Sequence, residues 1–157
     1  MPPGFTKSLA ERLDNVSSLN VKEAEKNETI KEKYAYVAPG DYHLTIDGNM
    51  GNYKIVLTQD SLRNGHRPSV DTMIESVYSC FKGRIIIVIM TGMGSDGAKA
   101  ISEIKEIKEI KNNIIIAESQ ESCIVFGMPH AAIKTGKVNY VCELDKIAQN
   151  INSLLTK

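Results

Sequence analysis

The sequence predicts a Rossmann-like, three-layer α/β fold: a doubly wound, mostly parallel sheet that also carries an antiparallel hairpin. Two β-branched runs separated by a helical pattern indicate a βαβ unit, the connection that joins parallel strands. Two other short runs joined by a Gly-rich loop predict the hairpin. The length of 157 residues fits one domain, since single domains commonly have about 100 to 200 residues.

The first half of the chain predicts two helices with strands between them. Phe5, Leu9 and Leu13 recur at four-residue spacing and predict the first helix. Four strands are predicted at residues 21–25, 34–37, 44–46 and 53–58, with the last two joined through the loop 47–52. A helix over 70–81 follows, because its apolar residues recur every three or four positions, and Ser69 is the predicted N-cap.

The second half predicts the parallel βαβ unit. The segment 84–90 is rich in β-branched residues and shows no alternation, which is typical of a strand buried on both faces. A helix begins at Ala98 and continues through the repeated Glu-Ile-Lys triplets of 103–111, which place apolar side chains along a broad face. The remaining predicted elements are a strand at 114–116, a helix bracketed by Pro129 and Gly136, a strand at 138–141 and a terminal helix over 144–155.

Composition and charge exclude several functional classes. Nineteen basic residues balance nineteen acidic ones, so the chain lacks the positive charge of a dedicated nucleic-acid binder. No apolar run is long enough for membrane insertion, and the first residues do not form a secretory signal. The three widely spaced cysteines predict reduced thiols in a cytoplasmic setting, and no ligand spacing indicates a metal.

The loop after the first β-branched run is the predicted site, because ligands bind at the carboxyl ends of parallel strands. Gly92, Gly94 and Gly97 match the dinucleotide-binding pattern, and Glu118 lies at the distance of its ribose-binding acid. Asp96 argues against this interpretation, since a carboxylate in that turn would repel pyrophosphate. No cofactor is therefore predicted. Asp96 is either a turn former and helix cap or an aspartate that orients a catalytic histidine.

Five motifs give the sequence a resemblance to a known family. They are P-P-G-F-T at 2–6, Y-V-A-P-G-D-Y-H-L at 36–44, H-R-P-S-V-D at 66–71, T-G-M-G-S-D-G-A at 91–98 and V-F-G-M-P at 125–129. In this order they resemble the successive signatures of CheB-type protein-glutamate methylesterases, over nearly the whole chain. The resemblance implies a cytoplasmic chemotaxis enzyme that hydrolyses glutamate methyl esters on methyl-accepting chemotaxis receptors, and also receptor glutamine deamidation.

The resemblance also assigns roles to residues. The family uses a Ser-His-Asp triad, and its aspartate matches Asp96. Met93 matches the family residue beside the active site, and Thr91, Gly92 and Gly94 complete the active-site loop.

The family's nucleophile and base have no counterpart here. The serine belongs to a G-x-S-T-G-G turn and the histidine to a Q-H-M-P-P signature, neither of which occurs in this sequence. We therefore expect residues 1–157 to be a catalytic domain without its first two strands, inactive alone. His43, His66 and His130 fit structural or surface roles better than a catalytic one, and Cys123 fits a small buried side chain better than a reactive thiol. A nonenzymatic relic or receptor-interaction module is the alternative.

Overall fold

A computed structural model describes residues 4–104 and 113–155. These residues divide into two compact units between Phe81 and Lys82. The first unit contains, in chain order, α1 (Phe5–Asp14), β1 (Asn20–Glu23), β2 (Tyr34–Val37), β3 (His43–Asn49), β4 (Asn52–Thr58) and α2 (Val70–Cys80). The second contains β5 (Ile86–Ile89), α3 (Ala98–Ile104), β6 (Ile114–Glu118), α4 (Met128–Lys134), β7 (Tyr140–Cys142) and α5 (Leu144–Leu155). The predicted α/β class is confirmed. Most of the predicted Glu-Ile-Lys helix lies outside the described residues.

In the first unit, β1 and β2 pair in parallel, and α1 packs on them. Thr6 on α1 is buried and joins the helix to its surroundings through its hydroxyl group. The hydroxyl donates to Glu23 Oε1 at 2.5 Å and accepts the backbone N–H of Gly40 at 3.0 Å. The P-P-G-F-T and Y-V-A-P-G-D-Y-H-L motifs therefore meet at one buried threonine.

The hairpin of β3 and β4 is confirmed, but its predicted loop of six residues is wrong. The antiparallel ladder continues to the pair Asn49 and Asn52, which leaves Met50 and Gly51 as a two-residue turn. Both turn residues have positive φ, 48° and 86°, as a type I′ turn requires. Gly51 adopts that backbone without strain, whereas the Asp-Gly pair at 47–48, which also carries a turn signal, lies inside the strand.

The predicted N-cap of α2 is confirmed. Ser69 has an extended backbone, and its side chain accepts the N–H of Thr72. This bond satisfies one of the four amides that the start of every helix leaves without an intrahelical partner. Ile74 and Tyr78 on the same helix are buried, in agreement with the predicted apolar face.

An ion pair joins two more of the sequence motifs. Arg67 donates from Nε and Nη2 to Asp41 Oδ1 at 3.1 and 2.6 Å, and from Nη1 to the carbonyl oxygens of Gln59 and Asp60. The hydrogen bonds from Arg67 lower the pKa of the Asp41 carboxyl below its ordinary value of 3.8. Arg67 thus holds the loop before α2 against the turn before β3.

Asp41→Asn is expected to lower the melting temperature of the chain at pH 7. The folded pKa of Asp41 is depressed, so its stabilisation is present above the unfolded pKa of about 3.8 and is lost as pH falls through the folded pKa. The difference between variant and wild type should therefore disappear in strong acid. Asp60→Asn is the matched control, because the Asp60 carboxylate accepts from Thr58 instead of Arg67. Thermal melts between pH 2 and 7 measure both, and a difference that persists at pH 2 would contradict the prediction.

In the second unit, β5, β6 and β7 form a parallel sheet in that order. The predicted strands are confirmed with shifted ends. β6 extends two residues further than predicted, to Glu118, because the backbone of Glu118 pairs with Cys142. β5 is shorter than the apolar run, and its expected burial on both faces is wrong: Ile87 and Ile89 are buried, while Ile86 and Val88 are half-buried. The terminal helix α5 has the predicted bounds.

Candidate active site

The loop between β5 and α3 carries Asp96 at the carboxyl end of the sheet. Asp96 is 7% exposed, in contrast to most of the loop before it. Gly94 and Gly97 have φ of 87° and 92°, in the left-handed region that favours glycine, and they turn the chain into the helix. The N–H of Ile101 donates to the carbonyl of Gly97 at 3.0 Å. The turn therefore places a buried carboxylate immediately before α3.

A second loop clamps the beginning of the Asp96 loop. The N–H of Gly92 donates to Val125 O at 3.0 Å, and Gly92 O accepts from the N–H groups of Gly127 and Met128 at 3.1 and 2.8 Å. The Thr91 hydroxyl accepts the N–H of Val125 at 2.9 Å. The T-G-M-G and V-F-G-M-P motifs thus form one backbone-paired structure, which fixes the entry to the Asp96 loop.

Two glycines of the paired loops, Gly127 and Gly92, lie close to neighbouring atoms. A Cβ at Gly127 would lie 2.7 Å from Gly92 O and 2.9 Å from Gly94 N. A Cβ at Gly92 would lie 2.6 Å from the Met128 sulfur. Carbon atoms do not approach backbone atoms as closely as a Cβ at Gly127 would, so the geometry explains glycine at this position. At Gly92 the neighbouring atoms belong to the flexible side chain of Met128, which can move aside.

Glu118 at the end of β6 is 1% exposed, and both of its carboxylate oxygens accept hydrogen bonds. Oε2 accepts the backbone N–H of Thr91 at 2.8 Å, and Oε1 accepts the Ser122 hydroxyl at 2.9 Å. A ribose-binding acid must instead offer its oxygens to a ligand. This geometry argues against the dinucleotide interpretation of the glycine pattern.

Exposed apolar side chains border the paired loops. Met93 is 80% exposed, and Ile124 in the neighbouring loop is 91% exposed. Val125 is also exposed. Met93 is predictable from its motif, whereas Ile124 is not, since the short apolar run of Ile124, Val125 and Phe126 gives no periodic signal.

The other residues considered from the sequence divide between the two units. His43 is buried in β3, and its Nε2 lies 3.2 Å from Ser61 O, while His66 is exposed. His130 is exposed on α4, with its ring 5.4 Å from that of Phe126. Burial, followed by the charge of Glu118, raises the pKa of the Cys123 thiol, so it stays protonated at neutral pH. The prediction that Cys123 is not a reactive thiol agrees with this shift, but the side chain is half-buried and not buried as expected.

The described residues contain neither a cluster suited to a metal ion nor a helix suited to a membrane. Among residues 4–104 and 113–155, no group of three or more His, Cys, Asp or Glu side chains is arranged to hold a metal ion. Within the same ranges, none of the helices has the length and apolar character to cross a bilayer.

Fold and site together define a parallel α/β domain with a buried aspartate in a clamped loop at the carboxyl ends of its strands. The family model described as CheB methylesterase matches residues 1–151. The chain therefore belongs to the CheB methylesterase family.

Relatives and a solved structure agree with this assignment. The chain is 48% identical to protein-glutamate methylesterase/protein-glutamine glutaminase 1 of Syntrophomonas wolfei, over 99% of this chain and 44% of that protein. It is 47% identical to protein-glutamate methylesterase/protein-glutamine glutaminase of Pyrococcus horikoshii, over 96% of this chain and 40% of that protein. The chain thus spans less than half the length of these relatives.

The crystal structure of the Thermotoga maritima CheB methylesterase catalytic domain matches the fold directly. It superposes with a TM-score of 0.90 at 42% sequence identity, covering 98% of this chain and 79% of that one. This likeness confirms the three-layer α/β fold with parallel strands and an antiparallel hairpin that the sequence predicts.

Proposed function

We propose that this chain is the part of a protein-glutamate methylesterase that supplies the triad aspartate, Asp96. The observation that carries the proposal is the placement of Asp96: a carboxylate nearly removed from solvent, in the clamped loop at the carboxyl end of β5, within a motif of the matched family. Relatives named as methylesterases over this same region support it.

The proposed reaction needs three groups. A serine hydroxyl, deprotonated by histidine, attacks the ester carbonyl of a methylated glutamate, and methanol leaves with the proton that the histidine returns. Water then hydrolyses the acyl-enzyme, which releases glutamate and regenerates the serine. Asp96 accepts the Nδ1–H of the histidine, which fixes its tautomer and stabilises the imidazolium that forms. The same steps on a glutamine side chain release ammonia, in agreement with the glutaminase names of the relatives.

The family supports a proposal for the substrate, the partners and the location. The substrates are glutamate methyl esters on the cytoplasmic helices of methyl-accepting chemotaxis receptors, and the enzyme acts in the cytoplasm. The domain comprising residues 1–157 is active only together with a segment that supplies the nucleophilic serine and the catalytic histidine. It requires no cofactor, because the triad chemistry needs none.

The experiment joins this chain to the serine- and histidine-bearing segment of the Thermotoga maritima enzyme and measures methanol release from methylated receptor. We expect the 157-residue chain alone to remain at background, because an aspartate has no effect without a histidine to orient. The joined protein is expected to turn over, and the same protein with its nucleophilic serine changed to alanine is the control. A folded joined protein that binds receptor without releasing methanol would contradict the proposal and favour a nonenzymatic interaction module.

A further inference from the structure

Glu118 is a buried carboxylate that the triad mechanism does not use. It lies at the carboxyl end of β6, where the ladder with β5 ends at the pair Ile89 and Ala117. Its carboxylate reaches across this end of the sheet to the N–H of Thr91 at 2.8 Å. The side chain thus continues the pairing between the two strands one step beyond the backbone ladder.

This bond completes the clamp at the entry to the Asp96 loop. The next amide, that of Gly92, donates to Val125, and the Thr91 hydroxyl also contacts Val125. The amides of Thr91 and Gly92 are therefore both held, the first by Glu118 and the second by the neighbouring loop. An opening at Thr91 would release the backbone only five residues before Asp96.

The other oxygen of Glu118 connects the clamp to a helix. Ser122 donates its hydroxyl to Glu118 Oε1 at 2.9 Å and accepts the N–H of Leu144, the first residue of α5, at 3.0 Å. The Glu118 side chain thus bonds the Asp96 loop and the 119–127 loop directly, and it connects to α5 through Ser122. A buried carboxylate with both oxygens satisfied is stable, whereas removing it leaves polar groups without partners.

We propose that Glu118 is a positioning residue of the active site, which holds the Thr91 amide and thereby places Asp96. The inference rests on the proposed function, since only that function makes Asp96 part of a catalytic triad. What the position requires is an acceptor oxygen at the reach of a glutamate side chain. Glutamine meets this requirement, because its oxygen accepts from Thr91 and its amide group donates to the Ser122 hydroxyl. Aspartate keeps the charge but is one methylene shorter.

The first test measures amide hydrogen exchange by NMR on the 157-residue chain, so that it does not depend on activity. Glu118→Ala and Glu118→Asp are expected to exchange at Thr91 about tenfold faster than wild type, because a hydrogen bond to a charged group is lost. Glu118→Gln should remain close to wild type. Glu121→Ala and Glu121→Gln are the matched controls, since they make the same changes at an exposed carboxylate three residues away.

The second test measures kcat and KM for methylated receptor in the joined protein described above. Glu118→Ala and Glu118→Asp should lower kcat about 10- to 100-fold through misplacement of Asp96, with little change in KM, and Glu118→Gln should restore turnover. If Glu118→Ala does not fold, the comparison of Glu118→Asp with Glu118→Gln alone tests the positioning role of Glu118.

The outcomes separate the two proposals. Unchanged exchange at Thr91 in both Glu118→Ala and Glu118→Asp overturns the positioning role, as does an aspartate variant that matches wild type while the glutamine variant fails. Absence of methanol release in every joined protein, with wild type included, overturns the proposed function, while the exchange measurement still decides the role of Glu118.

Discussion

Asp96→Asn is expected to lower the turnover of the joined methylesterase by about 10⁴-fold, the loss that this change produces in the best-studied Ser-His-Asp enzyme. An asparagine side chain has nearly the shape of aspartate, so the loop between β5 and α3 should keep its conformation. Its amide group, however, can donate to the histidine and stabilise the wrong tautomer, and it cannot stabilise an imidazolium. The histidine then no longer acts as a base toward the serine.

The measurement is steady-state methanol release from methylated receptor, with kcat and KM determined separately. The loss should appear in kcat, because Asp96 acts on the histidine and not on the bound ester. Asp145→Asn on α5 is the matched control, since it makes the same chemical change at an exposed carboxylate. A reduction of less than about tenfold in Asp96→Asn would remove this residue from the proposed triad.

The sequence predicted the elements of the fold better than their ends. Regular apolar spacing identifies α5 and the β-branched runs identify β5 and β6, because burial selects those side chains. The first and last residues of a strand depend on backbone pairing with its neighbour, which the composition does not reveal. β6 includes the charged Glu118 because a neighbouring strand pairs with its backbone, and the hairpin turn moved to Met50 and Gly51 because the ladder continues through Gly48.

The candidate site was predictable only in part. The motif around Asp96 predicts a loop at the end of a strand, and in the structure this loop follows β5. The role of Glu118 was not predictable from its position, because a carboxylate at a strand end can face either a ligand or the protein. Its bond to Thr91 requires two residues that are 27 positions apart in the chain to meet. Such contacts depend on tertiary packing, and no local pattern records them.

The close approach at Gly127 is likewise a tertiary feature. Its backbone, with φ of −94°, suits any residue, so nothing local requires glycine. The requirement comes from the Asp96 loop, whose Gly92 carbonyl and Gly94 amide occupy the space where a Cβ would lie. Both are backbone atoms held by hydrogen bonds or by the turn, so they cannot move aside as a flexible side chain would.

Gly127→Ala is therefore expected to separate the two loops and to lower the free energy of unfolding by about 1 to 3 kcal/mol, as overpacking of a tight contact does. The backbone amides of Gly92 and Gly94 should shift in NMR spectra, and kcat of the joined protein should fall because Asp96 follows the displaced segment. Chemical denaturation, amide chemical shifts and methanol release measure the three effects.

Gly136→Ala is the control that separates this local displacement from a general loss of stability. Gly136 has φ of 67° and open space where a Cβ would lie, so alanine there is strained without contacting the Asp96 loop. It should cost about 1 to 2 kcal/mol through its left-handed backbone. The amides of Gly92 and Gly94 should stay at their wild-type positions in this variant. If Gly127→Ala also leaves them there, the contact between the V-F-G-M-P and T-G-M-G motifs does not position the Asp96 loop.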